Sequence, residues 1–366
     1  MRYRIAAIVG TRPEAIKMAP LVIALRRSPA FEATLIATGQ HGDLFDEALR
    51  CFALAPDHRL DNAGRPGTPD HMAEAISGEL NPLLKILAPH MVLVQGDTSS
   101  AFAAACAADY LGIPVGHVEA GLRSHDLDRP WPEEGNRIAI DRISTLLFAP
   151  TPTAIANLRA DPGVQGRATL TGNTGVDALL MLHRPVSRAE GGALRILVTL
   201  HRRETIGEKQ QAMCGALRRI AERGDVCITL PLHPNPEVRR VIVAELAETP
   251  GIRLVDPLPY PRMINHMAAS DLILSDSGGV QEEAPTLGVP LLILRDVTER
   301  PEAIACGGAL LAGTDPEAIR VETERLIDDP EALRAMAQPR FPFGHGDAAK
   351  KIITVIENYL QAQNVT

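Results

Sequence analysis

Several common signals are missing from this chain, and each absence closes off a class of answer. The five cysteines, Cys51, Cys106, Cys214, Cys227 and Cys306, are far apart and form no C-x-x-C pair, so neither a disulfide framework nor a zinc site is suggested. No histidine pair stands at metal-ligand spacing, and hard-cation sites offer a tighter run of oxygen ligands than any seen here, so no metal is expected. Positive charge is not in excess. A formal net charge of −8 argues against general nucleic-acid binding, while leaving room for a local basic pocket. No apolar segment approaches the roughly 20 residues that a membrane span requires. The apolar run at 5–9 is too short for a signal peptide, and a reducing cytoplasm is the expected setting. The loop after the first predicted strand has neither the G-x-G-x-x-G nor the Walker glycine spacing, so a nicotinamide cofactor and nucleoside triphosphate hydrolysis are poorly supported.

What is present is an α/β pattern long enough for two domains: 366 residues, 45% hydrophobic and 22% charged. Short apolar runs at 4–9, 33–38, 90–95 and 115–118 read as strands, separated by amphipathic stretches at 14–27, 44–52 and 100–111. A further helix is expected over 137–147, and residues 60–72, with Gly64, Pro66, Gly67 and Pro69, read as a mobile loop. After a polar, turn-rich stretch at 183–193 the pattern resumes, with strands at 195–200, 226–230, 252–255, 272–275 and 291–294. This divides the chain into a first doubly wound domain over 1–182, a linker over 183–193, a second such domain over 194–346, and a helical tail over 347–366. The tail has Ile352, Ile353, Ile356 and Leu360 on one stripe and Asp347 as a candidate N-cap, and it could pack back on the first domain.

Ligands of open α/β sheets bind beyond the carboxyl ends of strands, so those positions carry the candidates. Arg12 and Lys17 follow the first strand and could hold an anion together with the helix start. Asp97 follows the third, Glu119 the fourth, and Glu133 lies on the loop beyond, so three carboxylates are expected on one rim, suited to taking and returning a proton. Ion pairing with Arg123, Arg129 and Arg137 is the plainer use of the same acids. In the second half, His201-Arg202-Arg203 and His233-Pro234-Asn235 follow successive strands. The segment 276–304 reads as a nucleotide-sugar pocket. Ser277-Gly278-Gly279 is a turn that lets backbone amides approach a diphosphate at a helix start, with Glu283 suited to a ribose and Arg300 to a phosphate. A helix merely capped by Ser277 is the simpler alternative.

The stretches Gly10-Thr11-Arg12-Pro13-Glu14, Gly96-Asp97-Thr98, Gly116-His117-Val118-Glu119-Ala120-Gly121-Leu122-Arg123, Pro130-Trp131-Pro132-Glu133-Glu134, Gly172-Asn173-Thr174, His201-Arg202-Arg203-Glu204 and the 276–304 segment, in this order, resemble the bacterial non-hydrolysing UDP-N-acetylglucosamine 2-epimerases. The resemblance implies the GT-B architecture, two Rossmann-like domains around a cleft, usually in a homodimer. It implies interconversion of UDP-N-acetylglucosamine and UDP-N-acetylmannosamine, without metal or nicotinamide, through UDP elimination to a 2-acetamidoglucal. It places catalytic roles on Asp97, Glu119, Glu133 and His201, and UDP contacts on Arg12, Lys17, Ser277, Gly278, Gly279, Glu283 and Arg300. A GT-B glycosyltransferase and a hydrolysing epimerase are the neighbouring alternatives. Two departures stand out. Met263 occupies the place of a uracil-stacking aromatic, and Asp43 and Asp46 fall where the family's activating site has glutamines, which points to weak or absent substrate activation despite Arg202 and His233.

Overall fold

A computed structural model describes residues 2–39, 43–61, 69–128, 130–186, 192–200, 207–233 and 235–364. The chain forms two compact units, Met1–Met181 with Phe343–Thr366, and Leu182–Pro342. In the first, strand and helix alternate: β1 Tyr3–Val9, α1 Arg12–Arg27, β2 Phe31–Ala37, α2 Asp43–Arg50, β3 His58–Arg59, α3 Pro69–Leu87, β4 Met91–Gln95, α4 Ser99–Tyr110, β5 Val115–Val118, α5 Glu133–Ile143, β6 Leu146–Ala149, α6 Pro152–Ala160, β7 Arg167–Leu170 and α7 Thr174–Leu182. The strands form one parallel sheet in the order β3-β2-β1-β4-β5-β6-β7.

The second unit repeats the plan with β8 Leu194–Thr199, α8 Glu208–Ala221, β9 Val226–Pro231, α9 Pro236–Leu246, β10 Ile252–Val255, α10 Tyr260–Ala269, β11 Leu272–Ser275, α11 Gly278–Leu287, β12 Leu291–Ile293, α12 Pro301–Ala305, β13 Ala309–Leu311, α13 Pro316–Asp328 and α14 Pro330–Met336. Its parallel sheet runs β10-β9-β8-β11-β12-β13. Each sheet therefore reverses its strand order once, between β1 and β4 and between β8 and β11, and such a reversal opens a crevice at the strand ends.

Central strands such as β4 and β11 are buried along their whole length, which is why they read as unbroken apolar runs. The alanines of α4 let that helix lie close against its neighbours. Gly10 shows how close: a Cβ there would sit 2.3 Å from Ser100 Oγ and 2.5 Å from Thr38 Oγ1. The last helix, α15 Ala348–Gln363, packs on α1 with Ile352, Ile356 and Leu360 buried. Its first amides are held by Asp177, which accepts from Ala348 N at 3.2 Å and Ala349 N at 2.9 Å. Asp347 stands at the N-cap position without a side-chain cap bond and pairs with Lys351 at 2.9 Å.

Two of the expected elements take a different form in the structure. The helix expected over 137–147 begins at Glu133 and stops at Ile143, and the buried run that follows is β6. Ser144 makes the break, with extended backbone and its hydroxyl on Ile140 O at 2.7 Å. A short apolar run buried on both faces has no strand period, so helix and strand look alike in sequence. The loop expected over 60–72 gives way to α3 at Pro69; residues 62–68 lie outside the described part.

Candidate functional site

In the first unit the residues following β1, β4 and β5 are tied together by buried side chains. Thr11 and Glu14 form a capping box at the start of α1, an arrangement worth about 1 kcal/mol. Glu14 also reaches across the strand-order reversal: its carboxylate accepts from Gly10 N and Thr11 N, both at 2.6 Å, and from Thr98 Oγ1 at 2.5 Å. Burial pushes this carboxyl above the usual glutamate range, against the lowering effect of the bonds from Thr98, Gly10 and Thr11.

Asp97 lies beyond β4, where its carboxylate pairs with Arg137 and its carbonyl accepts from Asn136 Nδ2 at 2.9 Å. Arg137 also bonds Glu134 at 2.5 Å, and Glu134 accepts from Ser124 N at 3.0 Å and His125 N at 3.2 Å. Asn136, Arg137 and Glu133 all belong to the first turns of α5, so this helix start is fixed against the Asp97 loop. Glu119, beyond β5, bonds Lys17 and accepts from Asn173 Nδ2 at 2.9 Å. Its φ of 69° is left-handed, which costs a residue with a Cβ about 1–3 kcal/mol and persists only where surrounding bonds enforce it. Here Phe148 O accepts from both Glu119 N and Ala120 N at 3.1 Å. Asp97 and Glu119 thus follow adjacent strands, each paired with a cation, Arg137 and Lys17, and Glu133 opens the helix tied to the Asp97 loop. Arg12 opens α1. Arg123 pairs with Asp141 at 2.7 Å and not with the three acids; Arg129 lies outside the described residues.

In the second unit the reversal is marked by Thr199 and Ser275, whose hydroxyls bond at 2.6 Å; Ser275 Oγ also accepts from Ser277 N at 2.9 Å. Ser277 occupies the N-cap position of α11 but makes no side-chain cap bond. The helix start is instead braced from outside. Gln281 accepts from Thr298 Oγ1 at 2.5 Å, and Arg300 N donates to Thr298 Oγ1 at 3.1 Å. The buried Arg300 guanidinium is gripped by Glu282 at 2.6 Å and Glu299 at 2.5 Å. It lies against Gly278, where a Cβ would come within 2.9 Å of Nη1. A side chain at Gly278 would press on an arginine laid across the helix start, where unpaired amides already favour an anion. Glu283 is half-buried and accepts from Tyr260 Oη at 2.6 Å. Met263 is half-buried on α10, one turn beyond Tyr260. His233 accepts from Asn235 N at 3.1 Å, and Asn235 caps α9. His201 and Arg202 lie outside the described residues.

The family described as UDP-N-acetylglucosamine 2-epimerase matches residues 23–357. The UDP-N-acetylglucosamine 2-epimerase of Escherichia coli K12 is 42% identical, over 97% of this chain and 98% of its own. The chain belongs to the UDP-N-acetylglucosamine 2-epimerase family. It is accordingly an isomerase by class, and a glycosyltransferase assignment is set aside. The solved Neisseria meningitidis UDP-GlcNAc 2-epimerase bound to UDP-GlcNAc is 36% identical, with a TM-score of 0.91 over 96% of this chain and 99% of that one. Acinetobacter baumannii MurG, 17% identical with a TM-score of 0.58 over 98% of this chain and all of that one, shares the fold alone. The chain thus has the two Rossmann-like units of the GT-B architecture.

Sequence reasoning named the residues at the strand ends, with Arg137 as an ion-pair partner for their acids, and missed the others that hold them: Glu14, His117, Glu134, Asp141 and Asn173 in the first unit, Tyr260, Glu282 and Glu299 in the second. The only signal for most of these was their place beside a named residue in the stretches that carry the family resemblance.

Proposed function

We propose that the chain interconverts UDP-N-acetylglucosamine and UDP-N-acetylmannosamine by elimination and re-addition of UDP, without releasing free sugar. A base removes the C2 proton, the C1–O bond breaks with its electron pair leaving on UDP, and C1 and C2 become the double bond of 2-acetamidoglucal. Return of a proton to the opposite face of C2, as the UDP oxygen re-forms its bond to C1, inverts C2. The single observation carrying this reading is that Asp97 and Glu119 follow the adjacent strands β4 and β5, each paired with a cation, while the helix that Glu133 opens is tied to the Asp97 loop. Inversion needs acid/base groups on two faces of the sugar, and a set of three carboxylates supplies them.

Lys17 and Arg137 place positive charge directly against Glu119 and Asp97. Ser277, Gly278, Gly279, Glu283 and Arg300 are read as the UDP-holding set: amides and guanidinium for the diphosphate, Glu283 for the ribose hydroxyls. Arg12 and His201 would neutralise the departing diphosphate. Weak or absent activation by a second substrate molecule is part of the reading, because Asp43 and Asp46 would repel its diphosphate and Asp46 already engages Arg59, a cation the diphosphate could otherwise use. The reading includes a homodimer. Ile86 and Tyr110, at 81% and 79% exposure on the packed helices α3 and α4, are apolar surface that a partner would cover.

The test is a product balance on UDP-N-acetylglucosamine. UDP-N-acetylmannosamine should appear while total UDP-sugar stays constant. Accumulation of UDP and free N-acetylmannosamine in equal amounts would establish the hydrolysing route instead.

A further inference from the structure

Asp141 lies far along α5, wholly buried, eight residues beyond the acid that opens that helix. One carboxylate oxygen faces His117 Nδ1 at 2.7 Å. The other accepts from Gly121 N at 3.2 Å and pairs with Arg123 at 2.7 Å. His117, also wholly buried in β5, makes its second bond from Nε2 to Gly96 O at 2.8 Å. A carbonyl oxygen only accepts, so Nε2 carries hydrogen. A single proton then lies between Nδ1 and Asp141, whichever atom holds it.

The places joined are the ones the chemistry needs. Gly96 immediately precedes Asp97, Gly121 is two residues beyond the left-handed Glu119, and Asp141 sits on the helix opened by Glu133. We propose that Asp141, acting through His117, is a positioning residue that holds the loops bearing Asp97, Glu119 and Glu133 in one register. The proposal rests on the reading of those acids as the proton-transfer groups. A buried Asp–His–Arg cluster adds little stability that an apolar cluster of equal volume would not, so stability does not account for it. A fully satisfied buried network does fix geometry. The strained backbone at Glu119 needs such outside constraint, and Asp141 supplies it at Gly121 N.

The experiment uses the full chain with Asp141→Ala, His117→Gln and His117→Asn. It measures kcat and KM for epimerisation, UDP affinity by calorimetry, and melting temperature. An alanine at 141 has nothing to offer His117 Nδ1, Gly121 N or Arg123. In Asp141→Ala, kcat is expected to fall by about 100-fold, with KM and UDP affinity within about threefold of the parent. At position 117, glutamine can still reach Gly96 O whereas asparagine reaches only Asp141, so His117→Gln should retain at least about tenfold more kcat than His117→Asn. A folded Asp141→Ala with kcat within about threefold of the parent overturns the proposal. Should that variant fail to fold, the His117 pair decides, and equal kcat in the two overturns it. A parent chain with no epimerase turnover refutes the functional reading and this role with it, a failure told apart by the parent alone.

Discussion

The two units share a parallel sheet, a single reversal of strand order and polar residues placed at that reversal, yet they fill the position with opposite chemistry. In the first, carboxylates following two adjacent strands are each matched to a cation or amide from another element: Glu119 to Lys17 and Asn173, Asp97 to Arg137. In the second, one arginine lies across a helix start and two glutamates grip it. The fold supplies a crevice and leaves its chemistry to a few residues, so topology alone could not have suggested the proposed assignment of proton transfer to the first unit and anion binding to the second. The lesson is a division of labour within one repeated plan.

The sharpest way to break that division is Glu119→Gln. We expect kcat to fall by about 100- to 10,000-fold while UDP affinity stays within about threefold, as a turnover assay paired with calorimetry would show. Retained turnover, or lost UDP binding, would put both tasks in one unit. The converse is Arg300→Ala. UDP affinity should drop about 10- to 100-fold, the value of charge-assisted hydrogen bonds to a diphosphate, with a smaller change in kcat at saturation.

How much of this was legible in sequence depends on the kind of residue. Asp97, Glu119, Ser277 and Arg300 stand just past apolar runs or their turns, where strand-end logic looks first. His117 lies inside a strand and Asp141 inside a helix, 24 residues apart, and neither draws a role from sequence until the fold brings them together. Glu282 is another case: its neighbour Glu283 drew the ligand role, while Glu282 meets Arg300 18 residues away. The strand β6 was lost for a related reason. Its burial on both faces comes from pairing with β5 and β7, which local periodicity does not record.

Smaller effects test the frame around the carboxylates. Gly10→Ala would press a methyl group into Ser100 and Thr38, and should destabilise the chain by about 1–3 kcal/mol, read as a lower unfolding midpoint with UDP affinity unchanged. The subtlest test is the pH dependence of stability at Glu14. Burial raises its folded pKa above that of the unfolded chain, so the stability it contributes is fully present below the unfolded value and is lost as pH rises through the raised folded value. Urea midpoints followed upward from about pH 4 should fall more steeply in the parent than in Glu14→Gln. Equal slopes would show that Glu14 is not the group responsible.

The central claim is that proton exchange at C2, performed in the first unit, accompanies departure and return of UDP held by the second. Its most direct test is incubation of the full chain with UDP-N-acetylglucosamine in deuterated water, followed by NMR at C2. The account predicts UDP-N-acetylmannosamine carrying one deuterium at C2, and the same label entering the remaining UDP-N-acetylglucosamine. An epimerised UDP-sugar whose C2 keeps its original proton would contradict it.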